Sequence, residues 1–335
     1  MMDSINEVMQ AYKVYPIATE KITDRLYLVK DGQRKYALKR SRLKEADIAA
    51  WQRIYYIANQ KNLSEIVPIY LTKDGIMYYE KNQSYFYLTP WIEKPSRHDR
   101  KDAIENSMFS LANLHGKTKT SQRISINSVK QNFNTYQAFC KQVPDELHAV
   151  VLQFEKNRYM SPFELLVCTQ YRDLEYASKM NNDIINEFLD QKDEYITWNS
   201  CLCHGNLKQE HILNRHILNW EKARFDQPAV DLANYINNMT GDYDQSVDMI
   251  TGAFKIYKEK NDLTGLELKL LSIYLLNPSP YITVIREYLK KPSDRSIADQ
   301  IKDIQRHYRR IIFAIKWREF MKEEYESISF DDSSF

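Results

Sequence analysis

The sequence predicts an α+β chain in two lobes, a small antiparallel β-rich lobe over residues 1–93 and a larger, mainly helical lobe over 94–335. Three observations point there. Short β-branched and aromatic runs crowd the first part of the chain. A polar stretch with a proline follows. Beyond it, apolar residues recur at the helical period of about 3.6.

In chain order, "ITDRLYLVK", "RKYALKR", "IYLT", "IMYYE" and "SYFYLTPW" read as strands between residues 22 and 93. "KDGQ" at 30–33 and "KDG" at 73–75 are Asp-Gly turns of hairpin type. "LKEADIAAWQRIYYIANQKN" reads as one inserted helix, with Leu43, Ala46, Ala50, Ile54 and Ile57 on its apolar side. "KPSRHDRKD" then reads as the hinge. In the second lobe, Ile104, Met108, Leu111 and His115 form one apolar stripe and Leu266, Leu270, Ile273 and Tyr274 another. Ile301, Ile304, Tyr308, Ile311, Ile312 and Ile315 form a third. Such stripes are core. The tail "SFDDSSF" reads as frayed.

Composition narrows the class. The chain has 335 residues, 43% apolar and 27% charged, as in ordinary globular proteins. A net charge of +2, spread along the chain, gives no reason to expect a nucleic-acid partner. No apolar run reaches the ~18 residues of a membrane span. The N-terminal residues carry no export pattern, so an intracellular protein without membrane insertion is expected. Four cysteines in such a chain do not make a disulfide framework, and Cys140 and Cys168 read as small core residues. The 24 tyrosines suit half-buried packing as well as exposed anchors at interfaces.

The most informative segment runs from Cys201 to Ile236. It reads His204-Gly205-Asn206, His211-Ile212-Leu213, Leu218-Asn219-Trp220-Glu221, then Pro228-Ala229-Val230-Asp231-Leu232-Ala233. This frame resembles the aminoglycoside-phosphotransferase and choline-kinase-like branch of the protein-kinase-like fold. That branch carries H-G-D-x-x-x-x-N-I-L, a strand ending I-D-W/F-E, and P-x-x-D-L-A. "YALKR" puts Lys39 where the small-lobe lysine sits, and "LANLHG" matches a helix ending in Leu-His. Within that branch the chain is similar to the CotS-like spore coat family, YsxE-type members. "EKITDRLYLV", "IVPIYLTKDGIMYYEKNQSYFYLTPWIE" and "YLLNPSPYITVIREYL" carry this resemblance, which spans about residues 15 to 320.

The departures from that pattern concern the chemistry. Phosphoryl transfer needs a carboxylate for the attacking hydroxyl, and oxygen ligands, charged where possible, for Mg²⁺. The catalytic aspartate position holds Asn206, whose amide is no base. The metal-binding asparagine position holds His211, a softer nitrogen ligand. The second metal-binding aspartate position holds Asn219, so both formal negative charges are gone. No glycine lies near Lys21 to Leu26, where a phosphate-covering loop would fall, and no helix glutamate is well placed to pair with Lys39. Lys39 is then a doubtful nucleotide-binding residue or a simple strand-edge lysine. Asp231 and His204 fit the structural roles the fold gives them.

With these departures the resemblance implies a catalytically inactive, kinase-like component of the bacterial spore coat. It would be made in the mother-cell cytoplasm, be assembled onto the forespore, and dock other coat proteins. No cofactor is expected. ATP and Mg²⁺ enter only if Glu210, Glu221 or Asp226 rewires the site into a small-molecule phosphotransferase, or if Lys39 serves a nucleotide-binding switch without catalysis. A zinc site from Cys201, Cys203, His204, His211 and His216 lacks a second Cys-x-x-Cys and is set aside.

Overall fold

The computed structural model describes residues 2–94, 99–190, 193–241, 246–290 and 295–326. Pro95 to His98 of the expected hinge and the whole expected frayed tail lie outside the described residues. The chain divides into two compact units, Met1–Thr118 with Leu202–Phe225, and Lys119–Cys201 with Asp226–Phe335.

The first unit holds a five-stranded antiparallel sheet of order β1-β2-β3-β5-β4, from β1 Ala18–Lys21, β2 Leu26–Lys30, β3 Lys35–Arg40, β4 Tyr79–Lys81 and β5 Ser84–Pro90. The expected run "IYLT" is not a strand. It lies along β5 instead, with Tyr70 N donating to Leu88 O at 2.9 Å. Gly32 and Gly75 take φ of 91° and 77° in the two Asp-Gly turns. The β4–β5 hairpin turns without glycine, through Asn82 and Gln83, both left-handed.

Helix α1, Met2–Ala11, was not anticipated. Its signal is Ile5, Val8, Met9 and Tyr12, a helical stripe that packs with Val29, Leu38 and Leu88 of the sheet. Tyr12 donates to Phe86 O at 3.0 Å, which ties α1 to β5.

Helix α2, Glu45–Gln60, is inserted between β3 and β4 as expected and buries the expected Ile54, but its buried face is turned away from Ala46 and Ala50. Its buried residues are Ile48, Trp51, Ile54, Tyr55 and Ala58, while Ala46 and Ala50 are exposed. The aromatic residues decide the face: Trp51 packs on Tyr55 and on Tyr87 of β5, each at 5.2 Å between centroids. Helix α3, Arg100–Thr118, buries Ile104, Met108, Leu111 and His115, the stripe the periodicity indicated.

The second unit is mostly helical. Strand β6, Thr120–Ser125, pairs antiparallel with β7, Tyr195–Cys203, from Thr120 opposite Ser200 to Ser125 opposite Tyr195. Helices α4, Ile126–Glu155, and α5, Pro162–Leu189, pack on each other along their lengths. Ser161 and Glu164 close a capping box on α5 with Pro162 in its first turn, a strong local start signal. Cys140 is buried on α4 and Cys168 is half-buried on α5.

Short elements connect the remaining helices. Strands β8 Ile212–Leu213 and β9 His216–Ile217 form a hairpin in the first unit, and β10 is Arg224–Asp226. Helices α6 Pro228–Thr240, α7 Val247–Lys260, α8 Gly265–Leu275, α9 Ser279–Leu289 and α10 Ile297–Met321 complete the second unit. Leu270 and Ile273 on α8, and Ile304 and Ile311 on α10, are buried as expected.

Candidate functional site

The residues that stand at the altered motif positions fall within the first unit. The segment 202–225 is held there by a backbone bond from Ile217 N to Glu65 O at 2.6 Å, and within it Leu218 N donates to His211 O at 2.8 Å. Asn214 and Arg215, with φ of 48° and 67°, make the tight β8–β9 turn. That hairpin brings His211 and Asn219 side by side.

Lys39 is not a strand-edge lysine. It lies on β3, between β2 and β5, opposite Leu26 on one side and Tyr87 on the other. Its ammonium sits 2.9 Å from Glu221 Oε1, donates to Asn219 Oδ1, and lies 5.6 Å from the Tyr87 ring centroid. The side chains of Lys39 and Glu221 are only 22% and 9% exposed. Burial pushes the Lys39 pKa below that of a free lysine, and the Glu221 carboxylate partly offsets this.

Glu221 is fully occupied. Besides Lys39 it accepts Arg42 N at 3.2 Å and the Tyr87 hydroxyl at 3.3 Å. Burial and the Glu221 charge together push the Tyr87 and Tyr55 hydroxyls upward. The missing helix glutamate thus has a substitute, supplied from the far end of the motif and not from α2.

The polar chain continues. Asn219, held at φ 70° and ψ 54°, donates its Nδ2 to His211 Nε2 at 3.3 Å. Asn219 therefore accepts from a cation with one end and donates to an imidazole with the other. An aspartate there would accept from both sides, with the His211 proton moved to Nε2. The amide instead leaves Nε2 as the acceptor and brings no charge into the network.

His211 packs on His204 with the ring centroids 5.1 Å apart and the planes tilted by 32°. Burial above all, then the charges of Lys39 and Lys208, pushes its pKa from 6.5 down to about 4. His204 is fully buried. It donates Nε2–H to Leu218 O at 2.8 Å and accepts Asn206 N–H on Nδ1 at 3.3 Å, which fixes a neutral tautomer. Its ring also packs at 5.1 Å on Trp220, which is itself anchored to Ile217 O at 2.8 Å. His204 thus braces the loop.

The depressed His211 pKa has a measurable consequence. The fold favours neutral His211, so its contribution to stability is complete above the ordinary value and is lost as pH falls toward about 4. Urea unfolding at neutral pH and at about 4.5 is expected to show an acid loss. His211→Asn should reduce that loss by up to about 2 kcal/mol, discounted for partial exposure. His307, pushed to about 4 chiefly by burial, leaves a remainder in the variant.

The turn before β2 is closed from within. Thr23 Oγ1 accepts Leu26 N at 3.1 Å and Arg25 N at 3.2 Å, and Lys21 pairs with Asp24 at 2.7 Å. Backbone amides that a glycine loop would turn toward phosphate are bonded to a side chain here.

Of the other expected site residues, Glu210 belongs to the first unit and Asp226 and Asp231 to the second. Glu210 is 71% exposed and lies 3.6 Å from Lys208. Asp226 ends β10 and accepts Gln227 N at 2.8 Å. In the second unit its charge, after burial, helps to push the Tyr274 hydroxyl up to about 12. Asp231 is fully buried in the first turn of α6. Of the histidines weighed for zinc, His216 lies 3.0 Å from Ser64 O, and His204 and His211 belong to the network above. Sequence reasoning placed Glu221 near the site but missed its pairing with Lys39.

Comparison with solved structures shows the kinase-like fold. An aminoglycoside phosphotransferase from Alicyclobacillus acidocaldarius superposes with a TM-score of 0.70 at 16% identity, over 95% of this chain and 96% of that one. AMP-bound spectinomycin phosphotransferase APH(9)-Ia gives 0.60 at 13%, over 93% and 98%. A microcompartment-associated aminopropanol kinase gives 0.56 at 11%, over 95% and 98%. No curated protein matches the chain. A family of spore coat proteins does match it, from residue 5 to residue 323, and the chain belongs to that family, described as "Spore coat putative kinase YutH".

Proposed function

We propose that the protein is a catalytically inactive, kinase-like component of the spore coat that docks other coat proteins. The observation that carries this reading is the commitment of Lys39 to Glu221 and Asn219 within one hydrogen-bonded network. In a working site the lysine pairs with a helix glutamate while facing phosphate, and a separate aspartate holds Mg²⁺. Here Glu221 takes the place of the glutamate, and the neutral Asn219 at the aspartate position is itself drawn onto the lysine. Asn206 supplies no base, and the Thr23 turn has its amides bonded internally. Docking is favoured by apolar side chains left in solvent, such as Tyr15 and Ile17, 73% and 77% exposed, on either side of Pro16. No described helix is long and apolar enough to cross a membrane.

Calorimetric titration with ATP, with and without Mg²⁺, tests the reading. The expected result is no saturable heat up to millimolar ATP in either buffer. Binding strengthened by Mg²⁺ would overturn it in favour of a rewired phosphotransferase with Glu221 as metal ligand. Binding indifferent to Mg²⁺ would make the protein a nucleotide-dependent switch.

A further inference from the structure

Lys-Asp-Gly occurs twice in the chain, at 30–32 and at 73–75, and both copies lie in the first unit. An aspartate followed by glycine is prone to close on itself. The backbone nitrogen after the aspartate can attack the side-chain carboxyl carbon, and a glycine, lacking Cβ, leaves that approach open. The two copies share this chemistry, so a difference between them must come from the fold.

Asp31 is tied down. Its Oδ1 accepts Gln33 N at 3.1 Å and Arg34 N at 2.8 Å, and its Oδ2 accepts the Tyr36 hydroxyl at 2.7 Å. The carboxylate cannot swing onto the Gly32 nitrogen without breaking these bonds. The Tyr36 hydroxyl, and after it the two backbone amides, also hold its pKa below the usual carboxylate range. That keeps it ionised, and an ionised carboxylate is the poorer target for a nucleophile. Ile17 covers the glycine, since a Cβ added to Gly32 would lie 2.9 Å from Ile17 Cδ1.

Asp74 has no such restraint. Among the described residues its carboxylate makes no hydrogen bond and no ion pair. Residues 73–76 are all exposed. Gly75 stands in open space, with nothing within 4 Å of the place a Cβ would take. Gly75 N donates to Thr72 O at 2.9 Å, which shields the nucleophile while the turn is closed. A surface turn of this kind opens locally at little cost, and once it is open no further bond holds the side chain back.

We infer that Asp74 is a site of spontaneous backbone modification, at which aspartate passes through a cyclic imide with Gly75 to isoaspartate, and that the fold protects Asp31 from the same change. The Gly75 nitrogen gives its proton to solvent and attacks Cγ of the protonated Asp74 carboxyl. The N–Cγ bond forms, the Cγ–OH bond breaks, and the hydroxide takes up the proton and leaves as water. Water then adds to one carbonyl of the imide. Addition at Cγ restores aspartate. Addition at the α-carbonyl carbon leaves the main chain running through Cβ and Cγ, with the α-carboxylate free. The mass is unchanged, and the turn between Thr72 and Ile76 gains an extra main-chain atom. The steps need only water and are independent of whether the protein binds nucleotide or other coat proteins.

The full chain is incubated for weeks, folded in buffer and, in parallel, unfolded in urea. Samples are digested with an endoproteinase that cleaves before aspartate and not before isoaspartate, and the peptides are counted by mass spectrometry. In the folded chain, resistance to cleavage between Lys73 and Asp74 is expected to grow severalfold faster than between Lys30 and Asp31. In urea the two bonds should become resistant at similar rates, because the tripeptides are identical. Gly75→Ala should slow the change at Asp74 severalfold and leave Asp31 as it was. The inference is overturned if Asp31 changes as fast as Asp74 in the folded chain. It is equally overturned if folded Asp74 stays unchanged over a period in which the chain in urea is modified.

Discussion

Replacing Gly205 by alanine is expected to lower the unfolding free energy by about 4 kcal/mol, measured by urea denaturation. Gly205 takes φ 77°, where a side chain costs strain. An added Cβ would also lie 2.2 Å from the Lys222 carbonyl oxygen and 2.8 Å from an Arg224 guanidinium nitrogen. The arginine can swing away. The carbonyl belongs to the backbone just after Glu221 and cannot move without disturbing the Lys39 pair. Gly75→Ala separates the two causes, because Gly75 has the same φ of 77° and nothing within 4 Å. That variant is expected to lose only about 1 kcal/mol. Equal losses at both sites would show that strain alone acts and that the Lys222 approach is harmless.

The second large effect concerns the Lys39–Glu221 pair. Lys39→Met leaves a carboxylate, and Glu221→Gln an ammonium, in a largely buried place without its counter-charge. Each single change is expected to cost about 2–3 kcal/mol, near the low end for buried pairs because Lys39 keeps some exposure. The double variant should cost about 2 kcal/mol less than the sum of the singles. A coupling near zero would mean that the pair contributes nothing as a pair, and the argument that Lys39 is neutralised internally would fail with it.

Strands β2 to β5 were legible because β-branched and aromatic runs flank Asp-Gly turns; β1, a short polar run, was missed, and the apolar run "IYLT" was misread because an extended segment along a strand has the same composition. The helical stripes of α3, α8 and α10 were legible because their apolar residues outnumber the other faces. The α2 face was misjudged where small alanines were weighed equally with Trp51 and Tyr55, although the aromatic rings carry most of the buried area. Helix α1 carried a readable stripe within a segment inspected only for export signals. The altered motif positions were legible residue by residue. Their arrangement was not, since it depends on pairings between residues some 180 positions apart, as between Lys39 and Asn219. Thr23 was equally opaque, because a threonine in a polar turn announces no particular bond.

The first unit is discontinuous in sequence, and this bears on how the protein is made. A ribosome releases α1, the sheet, α2 and α3 long before it releases Leu202–Phe225, the segment that carries Asn219 and Glu221. At roughly 5–20 residues per second the intervening stretch takes on the order of ten seconds to synthesise. Throughout that interval Lys39 has no carboxylate from the far segment, and Glu65 O has no Ile217 amide to receive. The nascent sheet must survive on its packing against α1 and α2. Closure of the unit is a late event in the life of each chain, and an early exit from translation would leave a folded sheet with an exposed, unneutralised lysine for quality control to find.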